Sequence, residues 1–420
     1  MRFLSQRNTD HISEMKLRSK WVTVWAPTPQ PTEEADMPLF PFTQREVAFQ
    51  NTTIRQTFRV TAGGDFIRIR LSNLFGSDPL HVSGVVIALP RQQDSLGPSG
   101  SASIFEETVQ RVLWDGEQMV SVPGGSHVVS DPFRFPVNAG QVLSISIFLQ
   151  KGHNPQQITS HPGSRTESWL CHGDQSMASE LSGPDLQSLA HWYFLSGVEI
   201  CQGTAHHGTL VLLGDSITDG RCSTDNANNR WPDLLFDRMQ QHPFAQDIAI
   251  INQAVGGGRV LRDGKGPSLL SRLDRDAIAQ PGRHYIVVFH GVNDLGTADS
   301  DAPSLEEVTK ALKKAYRQIV SRGHAHGLPV MGATIGPMGG NDPYGTCELR
   351  ERARQDVNDW IRKSGVFDAV VDFDHVLRST EDGSRLKVEF DSGDHLHPNV
   401  AAFEAMAAAF PLDIFERFES

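Results

Sequence analysis

Along the first half of the chain, short segments alternate apolar with polar residues and are cut by turn formers, the period of two that strands require. Ile67, Ile69 and Leu71 share one face while Phe66, Arg68 and Arg70 share the other, and Leu143, Ile145, Ile147 and Leu149 repeat the pattern against Ser144 and Ser146. Gly97-Pro98-Ser99-Gly100, Pro123-Gly124-Gly125 and Ser160-His161-Pro162-Gly163 read as the connections between such strands. Many short strands with turn-rich links predict an antiparallel all-β sandwich, jelly-roll-like, from about Trp21 to Cys201. Ala26 to Pro41, rich in Pro, Thr and acidic residues, is expected to be an irregular surface segment.

After His206-His207-Gly208 the period changes. Apolar runs at Thr209 to Leu213, Ile248 to Asn252, Tyr285 to His290, Pro329 to Ile335 and Phe367 to Phe373 read as five buried strands. Between them lie helical patterns: Pro232 to Met239, Ser268 to Gln280, the stripe Leu305, Val308, Leu312, Ala315 and Ile319, then Leu349, Ala353, Val357 and Trp360, with Pro398 to Phe410 closing the chain. Strands joined by helices call for right-handed crossovers and a parallel sheet covered on both faces, with the chemistry at the carboxyl ends of the strands. The expected division is an extension at 1–20, a sandwich at 21–203 and an α/β domain at 204–420.

With 420 residues and 39% hydrophobic content, the chain can bury a large core split in two. Fifty acidic against 38 basic residues give a net charge of −12 with no long basic run, which speaks against nucleic acid as a partner. No apolar segment approaches bilayer length and no secretory signal opens the sequence, so a soluble, cytoplasmic protein is expected, or a secreted one had a leader been removed. Cys171, Cys201, Cys222 and Cys347 show no C-x-x-C spacing, which argues against a zinc site; free thiols are expected, with a bridge open only in an oxidising compartment.

The first strand of the second half ends in Gly214-Asp215-Ser216, which puts a serine hydroxyl at the edge where such sheets work. A serine needs a base to take its proton, and His397 in Asp394-His395-Leu396-His397-Pro398 is the choice over His395, because Asp394 three residues earlier can fold back and orient it. Donors for an oxyanion are the backbone N–H of Ser216, the N–H of Gly257 within Gly256-Gly257-Gly258, and the side-chain amide of Asn293. The glycine run has a plainer reading as a tight turn, and Asn293 as a cap. Asp215 and Asp219 are read as supports of their own turn, and Arg259 as partner to a carboxylate or to an anionic substrate group. His290 is left between substrate contact and space filling, and His206 with His207 read as a solvated linker.

Four blocks then carry a resemblance. Gly214-Asp215-Ser216-Ile217-Thr218-Asp219-Gly220, Asn252-Gln253-Ala254-Val255-Gly256-Gly257-Gly258-Arg259, Gly291-Val292-Asn293-Asp294 and Asp394-His395-Leu396-His397-Pro398 resemble, in order and spacing, those of the SGNH, or GDSL-type, hydrolase superfamily, over about Gly208 to Leu412. The β-rich half is similar, more weakly, to that of two-domain carbohydrate esterases. The resemblance implies a flavodoxin-like three-layer α/β/α domain with Ser216 as nucleophile, Gly257 and Asn293 as oxyanion donors, and Asp394 with His397 as the proton-transferring pair.

The resulting expectation is a serine esterase acting through an acyl-enzyme, with no metal or organic cofactor. Its substrate is a small-molecule or carbohydrate ester, the resemblance favouring short-chain or acetyl esters. An acyltransferase or lipase-like acylhydrolase uses the same residues, and a non-catalytic binding module is the remaining alternative. The sandwich is expected either to wall the pocket or to mediate contacts in a homo-oligomer.

Overall fold

In the computed structural model, which describes residues 20–92, 97–202, 208–282 and 284–419, the alternation of the first half becomes two large antiparallel sheets, beside a three-stranded and a two-stranded one. One runs in the order Lys20–Trp25, Leu195–Gln202, Gly64–Asn73, Phe133–Val137, with Ser126–Val129 also paired to Gly64–Asn73. The other runs Gln187–Leu189, Ser168–His172, Thr52–Arg59, Val142–Leu149, Gly84–Ala88, Gln110–Arg111. Ile67, Ile69 and Leu71 from the first and Ile54, Phe58, Ile145 and Ile147 from the second meet in one core. Each such side chain contributes about 1.5–3 kcal/mol by leaving water.

Ser144 and Ser146, expected on a wetter face, are buried as well. For Ser146 the reason is Arg55, which lies wholly inside. It donates to Ser146 Oγ at 2.9 Å and to the carbonyls of Ala102 and Ala178 at 2.6 and 2.8 Å, so the second sheet's outer face is roofed by two loops tied to a guanidinium.

The second half is a five-stranded parallel sheet in the order Ile248–Asn252, Gly208–Gly214, His284–Phe289, Val330–Ala333, Ala369–Val371. Alternate residues of one strand feed opposite layers. Val211 and Leu213 pack with Leu312, Tyr316, Ile319 and Val357 from the helices Ala302–Ala325 and Glu348–Lys363. Leu210 and Leu212 pack with Trp231, Leu235, Phe403 and Met406 from Trp231–Met239 and Val400–Ala409. The strand order reverses beside Gly208–Gly214, which opens a crevice at its carboxyl end.

Two helix boundaries differ from expectation. The helix expected to close the chain from Pro398 starts at Val400, because Asn399 caps it by accepting from Ala402 N–H at 3.1 Å, and a further helix, Ile414–Glu419, follows it. The helix expected from Ser268 to Gln280 is α-helical only over Leu269–Leu273 and continues as a π turn over Asp274–Ile278.

The expected boundary at 203/204, together with His206 and His207, lies outside the described residues. On either side of it the two halves are joined by buried hydrogen bonds. Thr23 Oγ1 donates to Gln280 Oε1 at 3.0 Å, Thr28 Oγ1 to Gln253 Oε1 at 3.0 Å, and Gln253 Nε2 to the Ala26 carbonyl at 3.0 Å. The stretch from Ala26 to Pro41 is therefore not a surface segment throughout. Ala26, Thr28 and Gln30 are buried at the junction, and only Pro31 to Ala35 and the tip at Leu39 and Phe40 reach outward.

Candidate active site

Asp215 ends the first parallel strand and caps a four-residue helical turn, Ser216–Asp219, by accepting from Ile217 N–H at 3.1 Å. The turn closes at Gly220, whose φ of 89° only glycine adopts without strain. This sharp turn presents the Ser216 hydroxyl toward a loop from the far end of the chain. Ser216 Oγ lies 2.9 Å from His397 Nε2, and His397 Nδ1 lies 2.6 Å from Asp394 Oδ2. A carboxylate can only accept, so Nδ1 carries the ring proton and Nε2 is left free to accept from the serine hydroxyl.

Charge distribution suits that exchange. Burial lowers the His397 imidazole below its ordinary value, Asp394 opposes this, and the guanidinium groups of Arg221 and Arg165 push it lower still. Partial burial of Asp394 would raise its carboxyl, but the N–H of His397, the His397 ring and the N–H of Leu396 together hold it down to about 2. At neutral pH the pair is thus a neutral base beside a fixed anion. His395 is turned away: its Nδ1 faces Asp391, and its ring is half exposed.

The expected oxyanion donors line the same cleft, of about 510 Å³, as Ser216, Asp394 and His397. Among the described residues neither the Ser216 N–H nor the Gly257 N–H has a protein acceptor. Asn293 is held by two bonds that fix its amide orientation, Oδ1 accepting from Tyr344 O–H at 3.1 Å and Nδ2 donating to the Gly258 carbonyl at 2.9 Å. One Nδ2 hydrogen remains. Asn293 therefore neither caps a helix nor bonds its own loop, because both its polar atoms reach neighbouring loops. Its neighbour Asp294 clamps the glycine loop by accepting from the N–H groups of Val260 and Leu261 at 2.9 and 3.0 Å.

The carboxylates beneath the nucleophile are perturbed by enclosure. Burial pushes Asp215 up to about 7, the Ile217 N–H opposing and the charges of Asp294 and Asp219 adding to it. Burial likewise lifts Asp294 to about 6 against its hydrogen bonds to Val260 and Leu261. His290 is buried, does not line the cleft, and has no partner at either ring nitrogen among the described residues. Burial pushes its imidazole well below the ordinary value, so it is a neutral packing group beside Gly258.

Asp219 does more than support its own turn. Its Oδ2 accepts from Gly256 N–H at 3.2 Å, and its Oδ1 meets His161 Nε2 at 2.9 Å. His161 belongs to the sandwich, and its Nδ1 faces the Thr28 carbonyl at 2.9 Å. The ring thus bridges the Thr28 carbonyl and the Asp219 carboxyl group, and the pair is buried to 3% and 2% exposure. Gly163 is required here, since a Cβ at that position would collide with the Asp219 carboxylate. The sandwich therefore walls the cleft through Pro162, Gly163, Arg165 and Gln30, the last donating to the Lys265 carbonyl at 3.1 Å, with His161 holding Asp219 from behind.

None of these wall residues stood out in the sequence. His161 sits in a Ser-His-Pro-Gly stretch that reads as a turn, whereas Thr159–His161 is a short strand paired with Trp192–Tyr193 and Gln30–Pro31. Tyr344, which orients Asn293, has no motif around it. Arg259 donates to the Asp263 carbonyl and, at 3.4 Å, to Thr297 Oγ1, and forms no ion pair among the described residues. All four cysteines are free thiols. Among the described residues no group of three or more His, Cys, Asp and Glu is placed to hold a metal, and no helix is long and apolar enough to cross a membrane.

Residues 212–405 match the GDSL-like lipase/acylhydrolase family. No curated protein matches the chain. Among solved structures it is similar to an acetylxylan esterase from Geobacillus stearothermophilus, at 21% identity over 50% of this chain and 95% of that one with a TM-score of 0.36. It is also similar to an α/β hydrolase from the metagenome of Lake Arreo, at 19% identity over 52% and 99% with a TM-score of 0.37. A GDSL-like lipase from Bacteroides thetaiotaomicron is similar at 16% identity over 50% and 88%, with a TM-score of 0.34. The carboxy-terminal α/β domain is a member of the GDSL-like lipase/acylhydrolase family, an SGNH carboxylic ester hydrolase preceded by a β-rich half.

Proposed function

We propose that the protein is a serine esterase that cleaves short-chain or acetyl esters, on a small alcohol or a carbohydrate, through an acyl-enzyme. The single observation that carries this reading is the unbroken chain from Ser216 Oγ through the His397 ring to the Asp394 carboxylate, at 2.9 and 2.6 Å. His397 Nε2 takes the serine proton as Oγ attacks the ester carbonyl, and Asp394 stabilises the imidazolium that forms. The negative charge on the carbonyl oxygen is met by the N–H groups of Ser216 and Gly257 and by Asn293 Nδ2, none of which must first break a bond to a protein acceptor. His397 then returns the proton to the leaving alcohol. Water, deprotonated by the same ring, releases the acid in a second round.

The roles assigned to these residues predict that Ser216→Ala removes turnover of p-nitrophenyl acetate while the folded circular-dichroism spectrum persists. Full activity in that variant would take Ser216 out of the mechanism.

A further inference from the structure

Two guanidinium groups line the cleft beside His397 without a carboxylate of their own. Arg165 stands in the loop after Thr159–His161, and Arg221 directly follows Gly220 at the end of the turn that Ser216 begins. Neither takes part in an ion pair among the described residues. Arg165 Nε is enclosed and has no hydrogen-bond partner. The backbone that carries it is fixed from both halves of the molecule. The Arg165 carbonyl accepts from Asn226 N–H at 2.9 Å, and Asn226 Oδ1 accepts from Glu167 N–H at 2.9 Å while its Nδ2 donates to the Glu167 carboxylate at 3.1 Å. Arg165 is held at φ 50°, a left-handed conformation that a long side chain adopts only where its surroundings impose it. Arg221 is anchored on the nucleophile itself, its N–H donating to the Ser216 carbonyl at 2.9 Å.

The acidic groups of the same cleft are engaged elsewhere. Asp219 is taken by His161 and Gly256, Asp394 by His397, Asp36 by His191 at 3.3 Å, and Glu33 by Lys265 at 3.5 Å. Asp342, which also lines the cleft, forms no ion pair with either arginine. Guanidinium N–H groups that face a cleft with nothing to bond are donors matched to a planar or tetrahedral oxyanion.

We propose that Arg165 and Arg221 form an anion subsite, and that the ester cleaved here carries an oxyacid group, a carboxylate or phosphate, within a few bonds of its scissile carbonyl. The inference rests on the esterase reading and narrows its substrate class. Proximity to the reacting centre is supported independently, since both charges act on the His397 ring. The anionic group belongs either to the acyl part or to the alcohol part, and two matched pairs separate these sources. The acyl pair is mono-p-nitrophenyl succinate against p-nitrophenyl butyrate, and the alcohol pair is an acetylated glucuronic acid against the same ester of glucose.

In the unmodified enzyme the anionic member of at least one pair is expected to have a kcat/KM roughly tenfold to a hundredfold above its neutral partner, as a charge-assisted bond provides. That ratio falls toward one in Arg165→Gln and in Arg221→Ala, the second being on an exposed side chain whose loss spares the fold. Ratios near one in both pairs, or a ratio untouched in both variants, overturn the subsite. Hydrolysis of p-nitrophenyl acetate and its dependence on Ser216 are measured alongside. If that activity is intact but no anionic preference appears, the subsite alone falls; if no ester is cleaved, both readings fall.

Discussion

Replacing His161 by alanine reaches the active site from the other half of the molecule. The change removes the ring whose Nε2 sits 2.9 Å from Asp219 Oδ1, in a pair only 3% and 2% exposed. It leaves a buried carboxylate with the Gly256 N–H, at 3.2 Å, as its remaining bond from a neighbouring loop. Breaking a buried pair from one side costs about 3–5 kcal/mol, because the surviving charge stays desolvated. Equilibrium urea denaturation of His161→Ala is therefore expected to show a loss of that size. The kinetic effect follows by a second route. Asp219 tethers Gly256, and Gly257 presents the proposed oxyanion donor, so slackening the tether is expected to reduce kcat by at least about tenfold, short of the 10²–10³ that losing a donor outright brings. Adding Asp219→Asn removes the stranded charge, and the double variant is expected to lose at least about 1 kcal/mol less stability than the two single losses combined. A loss below about 1 kcal/mol with unchanged kcat, or strict additivity in the cycle, would refute the coupling.

Asn293→Ala removes a donor whose orientation is fixed by Tyr344 and Gly258, and kcat on p-nitrophenyl acetate is expected to fall about 10²–10³-fold with KM little changed. Catalysis needs the neutral form of His397, whose pKa lies below its ordinary 6.5, while Asp394 stays ionised above about 2. The kcat/KM profile should therefore rise with pH through a midpoint below 6.5 and then level off, with no second acid limb from Asp394 in the range where the protein is assayed. Removing the positive charge of Arg221 is expected to move that midpoint upward, since this charge disfavours the imidazolium; a midpoint above 6.5 in the unmodified enzyme, or a downward shift in Arg221→Ala, contradicts the electrostatic account.

The parallel sheet was legible because its strands are buried on both faces and so read as continuous apolar runs, and because helices such as Ala302–Ala325 carry an unbroken apolar stripe. The candidate residues Ser216, Gly257, Asn293, Asp394 and His397 could be named from sequence for a related reason: each lies in a short block near the end of a regular element, Ser216 and Asn293 within the short helical turns Ser216–Asp219 and Val292–Gly296. What escaped the sequence depends on tertiary approach. His161 and Arg165 come from a different layer, 58 and 56 residues from Asp219 and Arg221 respectively in number, and no local period predicts that Thr159–His161 folds against the nucleophile's turn. The segment from Ala26 to Gln30 misled for the same reason. Pro and Thr content signals irregular backbone, which is correct, but Thr28 and Gln30 are polar residues buried at a junction that supplies Gln253 and Lys265 as partners. Pro398 suggested a helix start two residues early, since the true cap is the Asn399 side chain.

The central claim is that one activated hydroxyl, on Ser216, carries the acyl group. Treating the protein with a fluorophosphonate and mapping the adduct by peptide mass spectrometry addresses this directly. The account predicts a single adduct on Ser216 that forms rapidly in the unmodified protein and far more slowly in His397→Ala. An adduct on another residue, or a protein that hydrolyses esters while Ser216 stays unlabelled, would contradict it.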